Sequence, residues 1–309
     1  MKAFVSVVEA GGFAPAARRM GLATSSVTRQ VDALEAKLSV RLLNRSTRKV
    51  TLTDAGRGYH EKAVRLLGDL EEADRSVAGG DQPHGVLRVS APLAFGRLHL
   101  TPVLSAYLEA CPGVRLDLLF TDALTDLVAL NIDVAIRLGG LEDGGLIARR
   151  LAGHRRLVCA SPAYLQRAGR PETPRDLADH SCLTFAYGPG RDIWRFQEGA
   201  GGGPRGDAGP EAVELEARVR ANSSETLVQL ALSGLGFVMM PTWLVGAEVA
   251  AGRLVPVLTE WQANPGAMET GIHAVYLENR RGVPKVRSFI DFLLAQWQPQ
   301  PPWERGLEI

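Results

Sequence analysis

APAARRMGLATSSVTRQVDALEAKL, residues Ala14–Leu38, reads as two helices joined by a tight turn. The first is short and rich in Ala and Arg, Ala14 to Met20, and Gly21 ends it because glycine can adopt the positive φ of a helix terminus. Leu22 is placed to plug the turn. Thr24, Ser25 and Ser26 offer hydroxyls suited to capping a new helix. Val27, Val31, Leu34 and Leu38 then recur at spacings of four, three and four, which makes one face apolar. Thr28, Arg29, Asp32 and Glu35 occupy the opposite face. A helix-turn-helix whose second helix enters a DNA major groove has this shape. An ordinary helical hairpin with a solvated face would show the same pattern.

The segment that follows separates the two readings. VRLLNRSTRKVTLT, Val40 to Thr53, carries Arg41, Arg45, Arg48 and Lys49, and Val50 and Leu52 alternate with Lys49 and Thr51 as in a strand. A basic β-hairpin after a recognition helix is a wing, placed to reach a minor groove or phosphates. The run GGFAPAARRMGLATSSVTRQVDALEAKLSVRLLNRSTRKVTLTDAGRGYH resembles the N-terminal domain of LysR-type transcriptional regulators, and the likeness runs to about Trp297. It implies Arg45, Arg48 and Lys49 on phosphates, with Thr24, Ser25, Thr28 and Arg29 facing base edges. Ala23 departs from the family, which commonly has Ser or Thr there, so capping by Thr24 or Ser25 would move the helix start by a residue or two. Family members also carry residues ahead of Met1, so a first helix beginning inside that segment is expected to pack less well.

Charge is distributed as that resemblance requires. The formal net charge of +1 hides a split: residues 1–57 hold 10 Lys and Arg against 4 Asp and Glu, and the remainder holds 25 against 30. A basic head on an acidic body suits a head that meets a polyanion.

Thr53 is an N-cap for a helix running to about Ala78, with Asp54 in its first turn where a carboxylate complements the helix dipole. Tyr59, Ala63, Leu66, Leu70, Ala73 and Val77 recur as an a/d seam. The following Gly79-Gly80-Asp81-Gln82-Pro83 reads as a hinge, which leaves the helix without a domain of its own. In the resembled family this linker helix pairs with its copy to make the dimer.

From Gly85 the pattern becomes strands alternating with helices, a βαβ pattern that implies parallel sheet. Strands are predicted at Val86–Ser90, Val114–Phe120, Asp133–Leu138, Ile147–Leu151, Leu157–Ala160, Val213–Val219, Phe237–Met240 and His273–Tyr276. Helices are predicted at Leu93–Ala110, Leu124–Leu130, Pro162–Arg167, Asn222–Ser233, Thr242–Ala250 and Lys285–Trp297. Two α/β lobes of this kind resemble a periplasmic-binding-protein fold, and the resemblance implies crossings near Ser161 and near Met268. The fold expected is thus α/β: a winged helix-turn-helix at 1–53, a linker helix and hinge at 54–80, and a two-lobed sensor at 86–297. Lobe I takes 86–160 and 268–297, and lobe II takes 161–267. Gly199 to Pro210 reads as a flexible surface insertion, and residues 298–309 as a tail that does not pack.

Catalytic and metal chemistry find no constellation. There is no G-x-S-x-G elbow, no P-loop and no dinucleotide fingerprint, and the GAGGGPRG loop precedes a strand pattern rather than a helix. The six histidines, His60, His84, His99, His154, His180 and His273, are scattered and read as surface or capping residues. Cys111, Cys159 and Cys182 are isolated, as expected of free thiols in a reducing cytoplasm. No apolar run approaches a membrane span and no export signal is present, so the expectation is a cytoplasmic protein without cofactor, metal or membrane partner.

A binding role fits instead, because two-lobed α/β folds hold ligands at the carboxyl ends of strands. Ser90, Pro92 and Leu93 follow the first strand, where helix N–H groups can hold an anion, with Phe95 as an apolar neighbour. Arg137 is a candidate carboxylate partner, and Asn222 and Ser223 open another helix. Each of these can equally be a cap, and Arg137 can equally pair with Asp133; the family resemblance is what draws them to one cleft. The reading is a LysR-like regulator whose partners are double-stranded promoter DNA, a small organic-acid effector, its own copies as homodimer or homotetramer, and RNA polymerase. A solute-binding receptor without a regulatory role is the alternative.

Overall fold

Apolar spacing builds the N-terminal unit as a helical core with a small hairpin. The computed structural model describes residues 1–45, 50–77, 82–123, 125–139, 145–186, 192–199, 210–264 and 271–307. Contacts divide the chain into two units, Met1–Asp81 and Gln82–Ile309. In the first unit α1 spans Lys2–Glu9, α2 Phe13–Met20, α3 Thr24–Leu38, β1 Leu43–Arg45, β2 Val50–Leu52 and α4 Asp54–Val77. Phe4, Val7, Ala16, Ala17, Val27, Val31, Leu42, Leu43 and Ala63 are buried together. Gly21 ends α2 at φ 65°, a left-handed cap that a side chain would strain. Strands β1 and β2 pair antiparallel, Leu43 opposite Leu52 and Arg45 opposite Val50. Thr53 caps α4 by accepting the Gly56 N–H at 2.9 Å.

Three expectations for this unit are corrected. Leu22 does not plug the turn but is 42% exposed. The residue before α3 is Ala23, in extended conformation, so the helix begins at Thr24 without a side-chain cap and its register is not displaced. The seam of α4 is divided. Ala63 is buried in the head core and Tyr59 packs edge-on against Phe4 at 5.7 Å, so the first turns of α4 do have a domain of their own. Leu66 and Leu70 stay exposed. The side chains of Ala73 and Val77 lie outside the described residues, as do Arg48, Lys49 and Ala78.

In the second unit β3 spans Gly85–Ala91, α5 Leu93–Phe95, a π-helical turn Gly96–Leu100, α6 Thr101–Ala110, β4 Val114–Phe120, β5 Val134–Leu138, β6 Leu146–Ala152 and β7 Arg156–Ala160. Then come α7 Pro162–Ala168, β8 Cys182–Phe185, β9 Asp192–Glu198, β10 Glu211–Leu215, β11 Ala217–Ala221, α8 Ser224–Leu232, β12 Phe237–Pro241 and α9 Thr242–Ala250. Strands β13 Val255–Val257, β14 Trp261–Ala263 and β15 Ile272–Leu277 and helix α10 Pro284–Trp297 complete it. One five-stranded sheet runs β4-β3-β5-β15-β6 and another β11-β8-β12-β7-β13, with a three-stranded sheet β10-β9-β14 beside them.

Both large sheets are mixed rather than parallel. β3 lies parallel to β4 and β5, but β15 is antiparallel to β5 and β6 because it returns from the other lobe. The first crossing lies at residues 153–155 and not near Ser161, since β7 pairs with β12 and β13 in the second sheet. Met268, at the second crossing, is outside the described residues, and so are residues 200–209 of the Gly-rich insertion. The Val213–Val219 alternation is two strands of different sheets, broken at Glu216. The segment predicted as a helix at Leu124–Leu130 is a turn over its described residues: the Asp126 carboxylate accepts the N–H groups of Val128 and Ala129, an Asx arrangement that competes with helix. Cys159 and Cys182 are buried, and burial pushes both thiols up to about 12. His154 and His273 are buried too, contrary to the surface role read for them.

The C-terminal segment also packs, contrary to expectation. Trp303 is 7% exposed and lies in one aromatic group with Phe95, His99, Trp243 and Trp297. Glu304 accepts the Thr242 hydroxyl at 3.0 Å. A Cβ at Gly246 would stand 2.3 Å from the Trp303 carbonyl oxygen, so only glycine lets α9 and this segment touch. Trp303→Ala is therefore expected to lower the stability of the second unit by about 3–5 kcal/mol. Thermal denaturation of the full chain checks this; an unchanged unfolding temperature would return residues 298–307 to the status of a loose tail.

Candidate functional site

The outward face of α3 is built by exclusion. Val27 and Val31 are buried, Leu34 is half-buried, and Thr24, Ser25, Arg29 and Gln30 are left exposed. Arg29 carries its guanidinium 3.5 Å from the Ser26 hydroxyl. The half-buried Thr28 spends its hydroxyl proton on the Thr24 carbonyl at 3.0 Å, which leaves its oxygen to accept and its methyl to make contact. Gln30 was not singled out by periodicity, although an amide is the side chain that reads adenine as a guanidinium reads guanine.

Glu35, read as part of a solvated face, is the clamp of the wing. Its carboxylate accepts the backbone N–H of Leu42 at 2.7 Å and of Leu43 at 3.0 Å, and its other oxygen pairs with Arg45 at 2.7 Å. Arg45 also pairs with Asp32 at 2.6 Å and stands over the Phe13 ring at 5.1 Å. Its charge is thus already matched by two carboxylates within the head. Arg45, expected from the sequence to meet a phosphate, ties β1 to α3 within the head. Arg48 and Lys49, the other two phosphate candidates, belong to the wing outside the described residues.

In the second unit the structure joins Ser90 and Arg137 through a residue the sequence did not mark. Arg137 donates to the Thr125 carbonyl at 2.9 Å and to its hydroxyl at 2.6 Å, and Ser90 stands 3.4 Å from that same hydroxyl. Ser90 and Thr125 are buried, and burial lowers the Arg137 pKa from its usual value. The alternative pairing of Arg137 with Asp133 is not made: Asp133 accepts the Arg88 N–H at 2.9 Å and stands 3.4 Å from Arg280.

Two parts of the expected anion site are corrected. The Leu93 N–H is taken by the Asp122 carboxylate at 3.1 Å, and Phe95 faces the aromatic core rather than a ligand. Pro92 is half-buried and Leu93 is 49% exposed. Across the lobes, Ser223 caps α8 by accepting the Thr226 N–H at 3.3 Å, and Asn222 is exposed beside it. Arg97 pairs with Glu225 of the same helix start, which brings the Leu93–Arg97 turn of one lobe to the Asn222–Glu225 end of the other.

Among the described residues no group of His, Cys, Asp and Glu could hold a metal, and no helix is long and apolar enough to cross a membrane.

Comparison with known proteins gives one consistent picture. Residues 1–57 match the bacterial regulatory helix-turn-helix proteins of the lysR family, and residues 80–298 match the LysR substrate binding domain. The HTH-type transcriptional regulator CrgA of Neisseria meningitidis is 35% identical over 95% of this chain and 94% of its own. PtxR of Pseudomonas aeruginosa is also 35% identical, over 97% of this chain and 92% of its own. The solved structure of CrgA matches 96% of this chain and 97% of its own with a TM-score of 0.60. That of the Vibrio cholerae virulence activator AphB matches 95% and 97% with a TM-score of 0.56 at 28% identity.

Glu35→Ala removes three hydrogen bonds at once, two of them to backbone N–H groups of the wing's first strand. It is expected to destabilise the head by about 1–3 kcal/mol and to weaken binding to every DNA tested. Differential scanning calorimetry and anisotropy on random DNA check the two effects. If neither changed, the wing would be held by its own strand pairing.

Proposed function

Because this chain belongs to the LysR family of helix-turn-helix regulators, and is a DNA-binding transcriptional regulator with an effector-binding domain, we propose how its residues divide that work. Helix α3 enters the major groove with Thr24, Ser25, Thr28 and Arg29 toward base edges, while Arg48 and Lys49 of the wing meet phosphates. The observation that carries this reading is the bare Arg29 face set opposite buried Val27 and Val31, on a head with an excess of positive charge.

The related proteins are named transcriptional regulators and residues 1–57 match their helix-turn-helix domain, which favours this reading over the solute-receptor alternative. Oligomers form in this family, and the exposed Leu66 and Leu70 of α4 support a helix pairing between two copies, to which the sequence spacing adds Ala73 and Val77. Homodimer or homotetramer, contact with RNA polymerase and a cytoplasmic location beside the chromosome complete the proposal.

Arg29→Ala is expected to cost about 1–3 kcal/mol on the specific site and little on random DNA, since a bidentate guanine contact is lost. Fluorescence anisotropy on the two DNAs decides this. Equal loss on both would make Arg29 a phosphate contact instead.

The effector proposed is a small organic acid whose carboxylate meets the free edge of the Arg137 guanidinium, with Leu93 as apolar contact. The Thr125 tether holds that guanidinium in place, and Lys cannot reproduce its planar fork. Arg137→Lys is expected to keep DNA binding and lose the thermal shift that organic acids give the wild type. A variant with a lower melting temperature but an intact ligand increment would assign Arg137 to structure alone.

A further inference from the structure

A cavity of about 470 Å³ lies against the first chain crossing, apart from Ser90, Thr125 and Arg137. Arg150 of β6, His154 and Arg155 of the crossing and Arg156 at the start of β7 line it. Gln197, Trp261 and Gln262 of the three-stranded sheet line it from the other side, over a floor of Leu157, Val158 and Val257. Its position is separate in the fold. It touches β6 and β13, the edge strands of the two large sheets, whereas Ser90 and Arg137 lie on β3 and β5 inside the first sheet. Its size suits a small organic molecule.

We propose that this cavity is a second ligand site, for a planar organic anion held by the crossing arginines and stacked on Trp261.

The chemistry follows from the walls. Three arginines, Arg150, Arg155 and Arg156, and two acidic residues, Glu198 and Glu304, line the cavity. Guanidinium forks recognise the flat two-oxygen edge of a carboxylate or phosphate. Trp261 is the aromatic residue of the wall, on which the proposed ring would stack, and Gln197 is the neighbouring amide that would meet its substituents. Leu258, in the same wall, holds a left-handed backbone at φ 55°, uncommon for a leucine, in a turn closed by the Trp261 N–H on its carbonyl at 3.0 Å.

Occupancy would also do something. Arg150 belongs to the first lobe's sheet, Trp261 and Gln262 to the second lobe, and residues 153–155 are the connection between them. A ligand gripping both sides favours one angle between the lobes, so it acts on the equilibrium that an effector in the Arg137 cleft acts on.

Isothermal titration of the full chain with salicylate and with adenosine 5′-monophosphate tests the proposal, and inorganic phosphate alone serves as the ringless control. At least one of the two ring-bearing probes is expected to bind with millimolar or tighter affinity and to outbind phosphate. Salicylate alone would identify the anion as a carboxylate, and the nucleotide alone as a phosphate. Measured in the Arg137→Lys background, so that the cleft site does not contribute, binding is expected to persist, and adding Arg155→Ala or Trp261→Leu to that background is expected to weaken it about tenfold. Unfolding temperatures without ligand establish that each variant is folded, and Arg150→Gln replaces any that is not. Failure of both probes to bind, affinity no better than that of phosphate, or binding abolished by Arg137→Lys and indifferent to Arg155→Ala and Trp261→Leu would overturn it.

Discussion

Phe95 is met by the rings of His99, Trp243, Trp297 and Trp303 at centroid distances of 5.1 to 5.7 Å, and the sensor unit depends on that packing. The rings come from the first lobe's leading helix, from α9 after the second lobe's sheet, from the closing helix and from the C-terminal segment. Edge-on aromatic contacts add to the area they bury. His99 strengthens the joint by donating to the Trp243 carbonyl at 2.7 Å; burial lowers its pKa, and that bond opposes the shift. The aromatic joint, the Thr242–Glu304 bond and the Arg97–Glu225 pair all tie elements of the sensor unit that are far apart in sequence.

The head solves a different problem, that of presenting positive charge without scattering it. Its arginines are not equivalent. Arg45 is matched by Asp32 and Glu35 and covers Phe13, so it fixes the wing. Arg29 touches one hydroxyl and is open to solvent. A guanidinium already satisfied inside the protein gains little from a phosphate, whereas an open one loses little on meeting a base edge. Composition cannot distinguish the two, because the distinction lies in which carboxylates the hairpin brings near.

Legibility followed the range of the interactions. The two helices, Gly21, the Thr53 cap and most strands of the sensor were readable because each depends on neighbours within a few residues. What failed depended on distant partners. The first crossing was misplaced because β7 looks the same whichever sheet receives it. Glu35 looked solvated because its partners, Leu42, Leu43 and Arg45, come from a turn that folds back on it. Trp303 looked like part of a tail because nothing local shows that Gly246 lets it in. The helix predicted after Leu124 failed for a local reason, the Asp126 Asx turn, and Asp126 could have warned of it. In the effector cleft, Thr125 was missed because a lone threonine carries no periodic signal, yet it joins Ser90 to Arg137.

Footprinting of the full chain on the DNA upstream of its own coding sequence tests the central claim most directly. A helix-turn-helix regulator acting as paired heads protects two half-sites about one helical turn of DNA apart, on one face of the duplex. The account predicts that pattern, with its strength altered when an organic acid is added. Uniform protection indifferent to sequence, or none, would contradict it.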